Sequence, residues 1–73
     1  MIPRHQDITD RVVEALDNEA ANGYPHQANK APANYVDEIH DFSGIEGYSP
    51  DNPEHRAAAI RGVYLWRMKN GFG

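Results

Sequence analysis

The chain has 73 residues, with seven Lys plus Arg against eleven Asp plus Glu, four His and no Cys; that is enough for one small domain and too few for a two-domain dinucleotide-binding fold, a barrel or a kinase lobe. Only 13 residues are Leu, Ile, Val or Phe, a level that borders on disorder, while a formal charge of −4 is too modest to enforce disorder. The lack of cysteine excludes disulfides, thiolate zinc sites and cysteine nucleophiles.

No apolar stretch approaches the ~20 residues that span a bilayer, and the opening run Met1-Ile2-Pro3-Arg4-His5-Gln6-Asp7 lacks the charged-then-apolar order of a secretion signal. The expectation is a cytoplasmic protein with no membrane contact. Charge is unevenly spread: residues 1–53 carry ten acids and three bases, residues 54–73 one acid and four bases. One end is acidic and the other basic.

The spacing predicts a first helix from Ile8 to about Ala21. At about 100° per residue, Ile8, Val12, Val13, Ala15, Leu16 and Ala20 share one side, and Asp10, Glu14, Asp17, Asn18 and Ala21 the other. Asp7 is the expected N-cap, because its carboxylate can accept from the free amides of the first turn, and Asn22-Gly23 supplies a left-handed stop. Residues 22–33 then hold two prolines and several turn formers. They form a long loop, expected either to lie over the core as a strap pinned by Tyr24 or to be a mobile partner-binding segment.

Asn34 is the expected cap of a short second helix from Tyr35 to about Phe42, with Tyr35, Val36, Ile39 and Phe42 on one arc and Asp37, Glu38 and Asp41 on the other. Asn52-Pro53-Glu54 opens a third helix that runs to about Lys69 and closes at Asn70-Gly71. Its main apolar stripe is Ala57, Ile60, Tyr64 and Met68, while Trp66 points to the far side, near Ala59 and Gly62. A helix apolar nearly all round needs cover, and so short a chain has little mass to supply it. Either the strap and the C-terminal tail cover Trp66, or another molecule does. The expected architecture is therefore all-α: one small three-helix domain over 1–73, with a long loop at 22–33 and a frayed tail at 70–73.

Chemistry is sparsely signalled. Asp37, Glu38 and Asp41 beside His40 are most simply a solvated acidic face, since nothing supplies a convergent further ligand. Residues 41–54 fail as a calcium loop, because the sixth position, which requires glycine, is Glu46. Ser43, Ser49 and Thr9 stand in no nucleophile elbow, and His5, His26, His40 and His55 are scattered and expected to face solvent. The reading is a non-enzyme with no metal and no cofactor.

A basic last helix also suggests a small DNA-binding regulator that reads DNA through helix 3, with Arg56 and Arg67 on one side. The net acidity and the long connection before that helix oppose it. A protein-binding module accounts for more of the features. Trp66 is the candidate anchor, Tyr48 and Glu46 follow from a glycine-flanked loop, Asp37, Glu38 and Asp41 supply an acidic arc, and Arg56 and Arg67 belong to the basic end. A third reading is a self-associating structural component of a phage or prophage.

The helix-3 run Asn52-Pro53-Glu54-His55-Arg56-Ala57-Ala58-Ala59-Ile60-Arg61-Gly62-Val63-Tyr64-Leu65-Trp66, with the chain length and the acidic opening, resembles the small transcription regulators of lytic Xanthomonas phages. The resemblance is a whole-chain one and assigns no contact residues. It implies a monomeric, non-enzymatic protein that binds bacterial RNA polymerase through the amino-terminal region of the largest subunit, near the RNA exit channel. There it would inhibit initiation and promote antitermination, with a secondary contact to nascent RNA or DNA. An acidic body suits a basic docking region, and a positive end suits a transcript.

Overall fold

The computed structural model describes residues 5–72. It contains helix α1 (Gln6–Ala21), a single turn α2 (Pro32–Asn34) continued by a π-helical turn (Tyr35–Ile39), and helix α3 (Pro53–Lys69). The domain is all-α, with no strand among the described residues.

Contacts between α1 and α3 advance in step. His5 meets Glu54, Thr9 meets Ala58 and Asp17 meets Trp66, so the two long helices run parallel. A parallel pair cannot be joined by a tight turn. The chain must return along the length of α1, about 24 Å at 1.5 Å per residue, and residues 22–52 make that return. The crossover covers one side of the helix pair, and Tyr35, Val36 and Phe42 from it complete a core built on Ile8, Val12, Leu16, Ala58, Ala59, Val63 and Trp66.

Small residues bring the helices together. A β-carbon on Gly62 would stand 2.8 Å from Val12 Cβ and 3.0 Å from the Thr9 carbonyl oxygen, so only glycine fits this crossing. Thr9 is buried in the same seam, where its hydroxyl donates to the Ala58 carbonyl at 2.9 Å.

This seam decides which face of α3 is inside. Ala58, Ala59, Gly62, Val63, Trp66 and Arg67 are buried, whereas Tyr64 and Met68 of the expected stripe are 55% and 54% exposed. Apolar residues are spread almost evenly around α3, so its hydrophobicity has no strong direction. Close approach at the crossing chose the face: Ala58, Ala59 and Gly62 sit at the seam, Ile60 of the expected stripe packs against the core only in part, and Ala57, Tyr64 and Met68 are left exposed.

Helix ends follow local chemistry where local chemistry is decisive. Asn52 accepts from the Glu54 amide at 2.9 Å, with Pro53 beside it in the first turn. Gly23 (φ 85°) and Gly71 (φ 82°) stop α1 and α3 in the left-handed conformation. The expected caps Asp7 and Asn34 are corrected. Asp7 lies inside the first turn and pairs with Arg11 at 3.2 Å, while His5 (φ 57°) precedes the helix and is held by Glu54. Asn34 ends α2, which starts at Pro32 because proline favours the first helical position and forces Ala31 to be extended. At the tail, where fraying was expected, residues 70–72 fold back on α3. The Phe72 amide donates to the Arg67 carbonyl at 2.8 Å, and its ring stacks on Trp66 with centroids 5.5 Å apart. Gly73 lies outside the described residues.

Candidate functional site

The π-helical turn and the loop after it enclose a groove of about 330 Å³. Val36, Phe42, Tyr48 and Pro50 give it an apolar floor, and Asp37, Glu38 and Asp41 stand around it with Ile39 and His40. The π turn sets this arrangement. The His40 amide bonds to the Tyr35 carbonyl five residues back, at 2.9 Å, and the chain then leaves in an extended conformation at His40. Phe42 is thereby turned into the core, while Ile39, expected inside, stays exposed.

His40 is fixed from two sides. Its ring stacks on Phe42 with centroids 4.1 Å apart and an interplanar angle of 17°, and its Nε2 lies 2.5 Å from Glu19 Oε1 of α1. The Tyr48 ring meets Phe42 edge-on at 6.4 Å. Burial, and then the Asp37 carboxylate, push the Tyr48 phenol up.

The acids differ in what they have left to offer. Arg56 grips Asp37 with two hydrogen bonds, of 2.8 and 2.5 Å, and holds its carboxyl below the usual range. Asp41 accepts from the Ser43 amide at 2.9 Å, which lowers its carboxyl as well. Glu38 is exposed, with no hydrogen-bonding or ionic partner among the described residues. The groove is thus acidic, with Arg56 as the cation beside it. Among the described residues no group of three His, Asp or Glu is placed to hold a metal ion.

Asp37, Glu38, Asp41 and Tyr48 therefore meet in one groove, with Arg56 at its edge. Glu46 does not join them. Its carbonyl accepts from Arg11 of α1 at 2.8 Å, and the neighbouring Gly47 (φ 83°) carries the loop past that guanidinium. Trp66 and Arg67, expected at a partner surface, are corrected to interior residues, 3% and 6% exposed. Trp66 donates from Nε1 to Asp17 at 2.8 Å and lies beneath His26 and Phe72. The cover over Trp66 is intramolecular. The bare apolar surface of α3 is instead Tyr64, Leu65 and Met68.

The histidines were expected in solvent, yet all four are engaged. His5 meets Glu54, His55 accepts from the Ser49 amide, His40 meets Glu19, and His26 meets Arg67. Sequence reasoning missed Ile39, His40 and Pro50 as groove residues; the only signal was the placement of His40 inside the acidic run 37–41. Comparison with protein-family models, with curated proteins and with solved structures finds no match to this chain. No helix among the described residues is long and apolar enough to cross a membrane.

Proposed function

We propose that this chain is a non-enzymatic docking module that acts by occupancy, and that the groove between the π turn and Tyr48 receives a basic segment of a larger protein. The observation that carries this reading is the combination of an apolar floor with the acids Asp37, Glu38 and Asp41. An aliphatic stem can lie on Tyr48 and Pro50 while its ammonium or guanidinium head meets Glu38 and Asp41.

The partner to test is bacterial RNA polymerase, through the largest subunit's amino-terminal region near the RNA exit channel. The sequence resemblance to phage transcription regulators suggests it, and a basic docking region there would complement this groove. Occupancy at that place would hinder initiation and favour read-through of terminators in the bacterial cytoplasm. Reading of DNA by α3 is less well supported: Arg67 is buried, Arg56 is tied to Asp37, and Lys69 is tied to Asp17 at 3.0 Å.

The test uses purified polymerase, the wild-type chain and the double variant Glu38→Lys/Asp41→Lys. Wild type should be retained by polymerase and should change both promoter-directed and terminated transcript yields, with binding about tenfold weaker in the variant, a difference of ~1.4 kcal/mol. Transcript yields unchanged at a saturating dose would overturn the polymerase reading. Equal retention of both proteins would overturn the groove.

A further inference from the structure

One side chain of α3, Arg67, makes three hydrogen bonds to the crossover segment 24–31, which also bonds to α1 from the Tyr24 amide to the Glu19 carbonyl at 3.0 Å. Arg67 of α3 donates from Nε to His26 Nε2 at 2.7 Å, from Nη1 to the Lys30 carbonyl at 2.6 Å and from Nη2 to the Gln27 carbonyl at 3.0 Å. Its guanidinium carbon also lies 5.5 Å from the centre of the Tyr35 ring. Tyr24, the expected pin, is 68% exposed. All three acceptors of this buried cation are uncharged groups.

His26 occupies the middle of the fastening. Its ring lies 4.7 Å from both Tyr35 and Trp66 and 5.5 Å from Phe72. Because the Arg67 N–H donates, Nε2 must accept, so the imidazole is neutral with its proton on Nδ1. That Nδ1 is buried without a partner. A proton on Nε2 would set N–H against N–H and place two positive charges across a 2.7 Å contact.

The groups that face His26 from each element do not rescue its charged form. From α3 comes Arg67, from the π turn Tyr35, and from the residue after that turn His40, whose charge adds repulsion. Glu19 of α1 is the one carboxylate acting on it, and Glu19 is already engaged by His40.

We propose that His26 is a proton-operated latch: protonation breaks its bond to Arg67 and releases the strap 24–31, which uncovers Trp66 while α1 and α3 stay paired. The helix pair has its own seam at Thr9, Val12 and Gly62, remote in sequence from the strap. Burial first, and then the Arg67 charge, hold the His26 imidazole below its ordinary value of 6.5. The neutral form belongs to the closed state, so the latch is shut above 6.5 and opens as pH falls through the lowered value.

Site-resolved NMR of the full isotopically labelled chain, from about pH 7.5 to about pH 4.5, tests this. Tryptophan fluorescence is less suitable, since a nearby imidazolium also quenches it. The His26 ring should titrate below its ordinary value, and at the same midpoint the amides of 24–31 should lose their heteronuclear NOE while those of α1 and α3 keep theirs. His26→Gln, which keeps an uncharged acceptor, should remove that transition; if the variant does not hold the strap, the coincidence of midpoints in wild type decides. Titration of His26 at or above the ordinary value, a strap that stays ordered after His26 is charged, or the same opening in a folded His26→Gln protein would each overturn the latch.

Discussion

Gly62 of α3 faces Val12 of α1 so closely that a single added methyl would stand 2.8 Å from Val12 Cβ and Cγ1. Val12 is fully buried and the third neighbour is the Thr9 backbone oxygen, so the seam can yield only by moving a helix. Gly62→Ala should destabilise the domain by about 2 kcal/mol despite alanine's better helix propensity. Thermal unfolding should show a Tm lower by roughly 10 °C. A Tm equal to or above wild type would mean that the helices do not cross here.

Neighbouring residues of α3 should respond in opposite ways. Trp66→Ala should cost about 3–5 kcal/mol, enough to unfold much of so small a domain, because the indole fills the core and bonds to Asp17. Tyr64→Ser and Met68→Gln should each stay within about 0.5 kcal/mol of wild type. Urea denaturation of the three variants checks the orientation of the helix.

The strap should be held by Arg67 and not by Tyr24. Lys30 offers trypsin a cleavage site within it, and its carbonyl is bound by Arg67. Arg67→Met should accelerate cleavage after Lys30 by about tenfold or more, whereas Tyr24→Ser should leave the rate unchanged. Peptide mapping over a time course distinguishes the two.

Acid should weaken the fold through its paired aspartates. The Asp17 carboxyl is lowered by hydrogen bonds from Lys69 and then Trp66, the Asp37 carboxyl by Arg56, and the Asp41 carboxyl by the Ser43 amide. Folded values below 3.8 mean that the unfolded chain takes up protons first. This stabilisation is complete above 3.8 and is lost as pH falls through the lowered values. Stability curves for Asp17→Asn and Asp37→Asn should be flatter in that range than the wild-type curve.

Glu38 should contribute to binding and little to stability, because it has no partner among the described residues. Glu38→Gln should leave Tm nearly unchanged and weaken capture of a basic partner segment several-fold, with the difference shrinking as salt is raised. Thermal unfolding reads the first effect, and titration calorimetry at two ionic strengths the second.

Much of the candidate groove was legible as a list and not as a place. Asp37, Glu38 and Asp41 share a sequence arc, and Tyr48 stood out between glycines. Their meeting depends on the π turn, whose extra residue redirects the chain at His40, and no local pattern announces it. Trp66 and Arg67 stood out for the opposite reason: a tryptophan and an arginine on a small protein look like surface anchors. Their partners Asp17, His26, Gln27 and Lys30 lie far away along the chain.

The amino-acid sequence alone determined the all-α class, the stops at Gly23 and Gly71 and the opening of α3 at Asn52-Pro53. Each depends on backbone freedom or on a side chain reaching an amide two residues away. Tertiary structure decided that α1 and α3 run parallel, that the face of α3 carrying Ala58, Gly62 and Trp66 is inside and that Arg67 binds the strap. The physical reason is that α3 is apolar around most of its circumference. Its inner face was selected by how closely Gly62 lets α1 approach and by hydrogen-bond partners that only the folded chain brings within reach.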